Sequence, residues 1–362
     1  MQYSLDQKIT GAALNQLSQS MSVIIVIVSI GFLAINRLSD VYIIWDLSQL
    51  VYLLIFLDVQ YPANLNEFIL GLKGTHLYLL PNMFQMPNVR QDSSSPYYAY
   101  SFDVNFLRSA GHNFVLVLVV LGGYLILKLL QLLISKIDKL NSNERLRKIV
   151  YKGVLRFRWH YTNDFFYLTF LNVISYAVAQ TQDMNTGYYL FPLTITLIAL
   201  SVICYITFPI FVAIKLYRHF GNIAKGKHIE NLKCFYRGID KTNKFGVALI
   251  LLRYFRKLLF ALVIPLLSAK PLLALPILTM SSVLLGLFIF VHKPFKKRIS
   301  NVVNVVTEGL LVCLFFIISV IYFLPDTYLT AKWVLGWVAV LLLAGLLFGH
   351  MFYIFCKTLF YL

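Results

Sequence analysis

Charge is scarce in this chain, and acid is the scarcer sign. Only 13% of the 362 residues are charged, with 15 Asp and Glu against 32 Lys and Arg. An average soluble domain is about 25% charged and about 45–50% apolar. Here 59% of residues are hydrophobic and the mean hydropathy is +0.74. A water-soluble fold of this length cannot hide that much apolar surface in one core. A soluble enzyme, a nucleic-acid binder and a disordered scaffold are therefore set aside. The formal charge of +17 reads instead as basic loops on the inner side of a membrane.

Other signals are missing as well. Of four cysteines, Cys204, Cys313 and Cys356 sit in apolar runs and Cys234 in a basic loop. No Cys or His spacing suggests a metal, and nothing suggests a disulfide framework. No Asn-x-Ser/Thr sequon marks an outer loop. The polar opening Met1–Ser20 is unlike a cleavable signal peptide. No HExxH, GxSxG, Walker loop or GxGxxG is present. No catalytic residue, cofactor or metal is expected, and the chain does not read as an enzyme.

What is present is long apolar runs. A membrane-crossing helix needs about 20 mostly apolar residues. Nine segments approach this: 17–35, 41–57, 114–133, 165–180, 188–217, 245–268, 272–291, 302–324 and 333–356. The expected fold is all-α, a polytopic membrane helix bundle of about nine spans forming one domain over 1–362. Three basic loops, 134–160, 215–244 and 292–301, alternate with loops poor in Lys and Arg. With the adjoining helix ends they hold 23 of the 32 Lys and Arg. The positive-inside rule then puts the N-terminus outside and the C-terminus inside. The outer loop 58–113 is unusually long. Its first part, 64–80, is amphipathic and either lies in the interface or folds back partway. Its middle, 91–102, reads as mobile.

Glu308 is the sharpest single residue. It lies about two turns into the eighth segment, where a carboxylate at mid-depth costs about 2.5–3.5 kcal/mol. Intramembrane acids face a partner or a watery path. The available cations are Arg253, Arg256 and Lys257, which share one helix face by their i, i+3, i+4 spacing. Glu308 is thus either an ion-path acid or half of a helix-pairing salt bridge. The three cations either bind an anionic lipid headgroup, pair with an acid, or anchor the inner end. A basic run this short does not make a voltage sensor. Asp46 and Gln49, one turn apart on the second segment, either form a polar stripe or make that segment interfacial. Lys293, Pro294 and Phe295 form a turn that is either rigid or a hinge.

The blocks Trp45–Leu50, Tyr61–Asn64, Phe68 and Leu80–Asn82 are followed by Phe235–Gly238, Leu252–Lys257, Lys293–Lys296, Asn301, Asn304 and Glu308. In this order they resemble the C-terminal multi-spanning region of the large ciliate transmembrane proteins. More remotely, the chain is similar to transient-receptor-potential-like channels. No large cysteine-rich part precedes the first span here, which is a departure from those proteins. The resemblance implies a cation channel or channel subunit. It assigns no pore residue and no role to Glu308. The alternative is a non-conducting anchor or structural subunit of a larger assembly, including an organellar one. The expected partners are membrane lipids, anionic headgroups at the inner face among them, and other subunits of an oligomer, but no nucleic acid. The expected location is the plasma membrane, with an organellar membrane as the alternative.

Overall fold

The structure is a computed structural model that describes residues 5–34, 41–76, 84, 106–137, 143–182, 191–224, 239–240 and 243–359. The segment 91–102 and the motifs Leu80–Asn82 and Phe235–Gly238 fall outside these residues, as does Cys234. The described chain forms eleven α-helices. They are α1 Leu5–Ala34, α2 Tyr42–Leu53, α3 Ala63–Gly71, α4 Phe106–Lys136, α5 Glu144–Leu155, α6 Thr162–Gln182, α7 Phe191–Ala224, α8 Lys244–Leu266, α9 Pro271–His292, α10 Arg298–Phe323 and α11 Leu329–Leu359. No strand occurs among the described residues. One isolated bridge joins Ile239 to Phe295.

Each of the nine predicted segments coincides with a helix among the described residues. Six helices are long and apolar enough to cross a membrane: α1, α4, α7, α9, α10 and α11. The chain is therefore an all-α, polytopic membrane protein. The other three predicted segments fall short for visible reasons. The helix α2 has only 12 residues. The helix α6 is polar along its length, with Asn163, Asp164, Asn172, Gln180 and Gln182. The helix α8 carries the basic triplet.

Local chemistry sets several helix ends. The Asn143 side chain caps α5 by accepting from the Leu146 N–H at 3.1 Å. Asn243 caps α8 by accepting from the Phe245 N–H at 3.0 Å. Pro271 opens α9, where its missing N–H costs nothing. Lys293 ends that helix in the left-handed region, φ 44°, and Pro294 cannot continue it. Between α5 and α6 the residues Arg156–Tyr161 form a π-helical turn. Thr162 donates to the Phe157 carbonyl there at 2.8 Å.

The centre of the molecule is α2. Ten of its residues are buried, from Tyr42 to Leu53. It packs inside a shell drawn from α1, α3, α6, α8, α10 and α11. The segment after it turns back. Gln49, midway along α2, donates to the Thr75 carbonyl at 3.1 Å, so residues 63–76 run down beside α2 as a re-entrant piece. Of the two sequence expectations for this stretch, folding back is the one observed. Such backbone is tolerated at membrane depth only when buried in protein, and Asn64, Leu65, Phe68, Ile69 and Leu72 are fully buried. Close approach to α1 demands glycine at its end. A Cβ on Gly71 would lie 1.6 Å from Ser18 Oγ and 2.7 Å from the Asn15 carbonyl.

Contacts gather the loops at two ends. At one end Asp240 donates through its backbone N–H to the Pro294 carbonyl at 2.9 Å. Lys215 lies 4.5 Å from the Trp159 ring centroid. All three basic loops therefore meet there. At the other end the Asp58 N–H donates to the Ser268 carbonyl at 2.8 Å. Asn64 donates to the Trp333 carbonyl at 3.0 Å, and the Phe106 N–H to Gln180 at 2.9 Å. Lys332 pairs with Asp326 at 2.7 Å at this end. That hydrogen bond holds the Asp326 carboxyl below the usual carboxylate range.

Candidate functional site

Four helices converge on a charged cluster inside the bundle. The helix α8 presents Arg253, Arg256 and Lys257 inward, as one face of a helix must at that spacing. Across from it, α10 supplies Asn304, Thr307 and Glu308, α2 supplies Asp46, and α6 supplies Tyr167. Together they line a cavity of about 50 Å³. A void of this size and polarity has room for a few waters and no more.

Every charge in the cluster has a partner within the protein. Arg256 Nη1 forms an ion pair with Glu308 Oε1. Lys257 Nζ pairs with Asp46 Oδ1 at 2.6 Å and also donates to the Tyr167 carbonyl at 2.6 Å. Tyr167 Oη donates to the other Asp46 oxygen at 2.6 Å. The Lys257 ammonium lies 3.4 Å from the Tyr167 ring centroid. Arg253 Nη2 donates to Asn304 Oδ1 at 2.7 Å, and its guanidinium stands 5.1 Å from the Phe295 ring centroid. Three cations thus face two carboxylates. Burial is deep: Lys257 is 4% exposed and Glu308 7%. Among the described residues, Glu308 Oε2 and Arg256 Nε have no hydrogen-bond partner, which suits bound water.

Two side networks extend the cluster. Tyr42 stacks on Tyr167 with ring centroids 4.2 Å apart and donates to Asp164. Tyr254 reaches the same point through Asn163 at 3.3 Å. On the far side Thr307 Oγ1 meets His350 Nε2 at 2.7 Å, tying α10 to α11. Tight packing supports the pair from behind. A Cβ on Gly286 of α9 would lie 3.2 Å from Glu308 Cβ.

The turn Lys293–Phe295 is pinned on several sides. Asn301 accepts from the Phe295 N–H at 3.1 Å and donates to its carbonyl at 2.9 Å. Asn243 holds the His292 carbonyl at 2.8 Å, and the Phe245 and His292 rings stack with centroids 3.8 Å apart. Its link to the cluster is Arg253, which lies against Phe295.

The structure brings Glu308, Arg253, Arg256 and Lys257 together, with the turn at their edge. Asp46 joins them, while Gln49 faces the re-entrant segment and the Leu168 carbonyl at 2.9 Å. This makes α2 an interior element and not an interfacial one. Sequence reasoning missed Tyr167, Tyr42, Asp164 and Asn163. The usable signal was Asp164 flanked by polar residues at the start of a span, a cost that calls for a partner. No metal-ligand cluster exists among the described residues. No family model, curated protein or solved structure matches the chain.

Proposed function

We propose that this polytopic membrane protein is a gated cation channel, or a subunit of one, of the transient-receptor-potential-like type. The observation that carries the reading is the buried cluster of three cations and two carboxylates around a polar cavity. A bundle held only by packing has no need of such groups, since apolar side chains of similar volume stabilise at least as well. Intramembrane ionisable groups are functional by default. The returning segment 72–76, whose Thr75 carbonyl meets Gln49 one turn along α2 from Asp46, supports the same reading. Opening would separate Arg256 from Glu308, and the Phe295 contact of Arg253 would couple this to the basic end. The basic end faces the cytoplasm in this reading, the plasma membrane is the site, and the working unit is an oligomer.

A second reading has its own support. The cavity is small and each of its charges already has a partner in place, as in a static bundle. The chain would then be a non-conducting anchor or structural subunit of a larger membrane assembly, in an organelle or at the surface. Single-channel recording of the purified chain in planar bilayers separates the two, with wild type beside Glu308→Gln. The channel reading expects discrete openings whose conductance or selectivity changes in the variant. Electrical silence of the folded protein under voltage, tension and anionic lipid would leave the structural reading.

A further inference from the structure

The helices α4 and α5 form an antiparallel hairpin. Ile134, Val150 and Val154 are buried together at its seam. A Cβ on Gly153 would lie 3.1 Å from Leu127. The two outer faces differ completely. On α4, Leu129, Leu130, Leu132 and Leu133 are 41–59% exposed. On α5, Arg145, Arg147, Lys148 and Lys152 are exposed. The single acid of α5, Glu144, pairs with Lys148 at 2.6 Å. No carboxylate pairs with Arg145, Arg147 or Lys152 among the described residues.

Depth follows from length. The apolar stretch Ser109–Lys136 has 28 residues, about 42 Å at 1.5 Å per residue. The hydrocarbon layer is about 30 Å thick. The excess is shared between the two ends, so the last turn of α4 reaches the headgroups, with the basic residues of α5 beside it. At that level the two helices enclose a recess of about 320 Å³. It is lined by Gln131 and Ser135 from α4 and by Arg147, Lys148 and Tyr151 from α5. Ile149 and Tyr151 beside it are 67% and 51% exposed, apolar surface that suits an interface and not water.

We infer that this recess binds the phosphate headgroup of an anionic membrane lipid. Arg147 and Lys148 meet the phosphate, the Gln131 side-chain amide offers an N–H donor beside them, and the exposed leucines of α4 accompany the acyl chains. The exposed leucines favour a bilayer lipid over an acidic protein or a free anion, neither of which would cover them. This site is separate from the central cluster and holds whether or not the chain conducts.

The test uses the full chain in mild detergent and native mass spectrometry. Phosphatidylglycerol and phosphatidylcholine with identical acyl chains are the probes. Wild type is expected to retain phosphatidylglycerol preferentially. The double variant Arg147→Gln/Lys148→Gln should weaken that binding roughly thirtyfold, and Arg147→Gln alone about fivefold. Lys270→Gln, an exposed base at the opposite end, should change nothing. Equal retention of the two lipids would overturn the proposal. So would undiminished phosphatidylglycerol binding in either folded variant. Displacement of the lipid by equimolar inorganic phosphate would show a free-anion site instead and would equally overturn it.

Discussion

Two basic helix faces of this protein look alike on paper and do opposite things. Arg253, Arg256 and Lys257 lie within about one turn of α8, and Arg145, Arg147, Lys148 and Lys152 within about two turns of α5. The α8 residues are turned inward and matched one by one, to Asn304, Glu308 and Asp46. The α5 residues are turned outward, and their single acid is a neighbour on the same helix. The difference lies in the opposite wall. The α8 face meets α2 and α10, which carry carboxylates at the right depth, whereas across the recess from Arg147 and Lys148 the helix α4 offers Gln131, Ile134 and Ser135 and no carboxylate. A charge in a membrane protein takes its meaning from what stands across from it.

The comparison can be broken most forcefully at Glu308. Removing one partner of a buried pair leaves the other charge uncompensated. Glu308→Ala is expected to lose about 3–5 kcal/mol of stability in detergent unfolding. Replacing both partners, Arg256→Met with Glu308→Leu, should recover most of the loss. If the single variant unfolds like wild type, the inward pair is no stronger than a surface one. The outward face gives the matching expectation. Arg147→Gln and Lys148→Gln should each stay within about 0.5 kcal/mol of wild type, because neither touches the core.

The smallest effect sharpens the scale between these extremes. Asp326 is an exposed acid bonded to the buried Lys332. Its folded carboxyl titrates below the unfolded one, so its contribution is complete above the unfolded value, about pH 4, and fades as pH falls through the folded one. Wild type should melt slightly above Asp326→Asn at neutral pH. The two melting temperatures should converge below about pH 4. A gap that persists in acid would mean that Asp326 acts through something other than its charge.

The spans were legible because their apolar runs are long, and so was the shared face of the α8 cations. Glu308 announced itself by the cost of its depth. Its partner among three candidate cations was not legible, since helix rotation and depth depend on packing that no local pattern encodes. Asp46 shows the limit most clearly. Its partner Lys257 lies on a helix far along the chain, and nothing near residue 46 points to it. The return of residues 63–76 beside α2 was one of two readings of an amphipathic stretch. The buried Gln49, which needs an acceptor, decides between them.

The π turn at Arg156–Tyr161 sets a phase. The buried stripe along this continuous helix runs through Val150, Val154, Trp159, Asn163, Tyr167, Leu171 and Ile174. Its steps are three or four residues throughout except from Val154 to Trp159, a step of five that falls on the π turn. Were the same residues wound as plain α-helix, the seam of α5 and the core face of α6 would be rotated by about 100° relative to each other. The turn works as a register shim between two separately fitted stripes. A chain shortened by one residue within 156–158 would close into plain α-helix with both stripes still aligned. A chain shortened by one residue inside α6 would have no such slack.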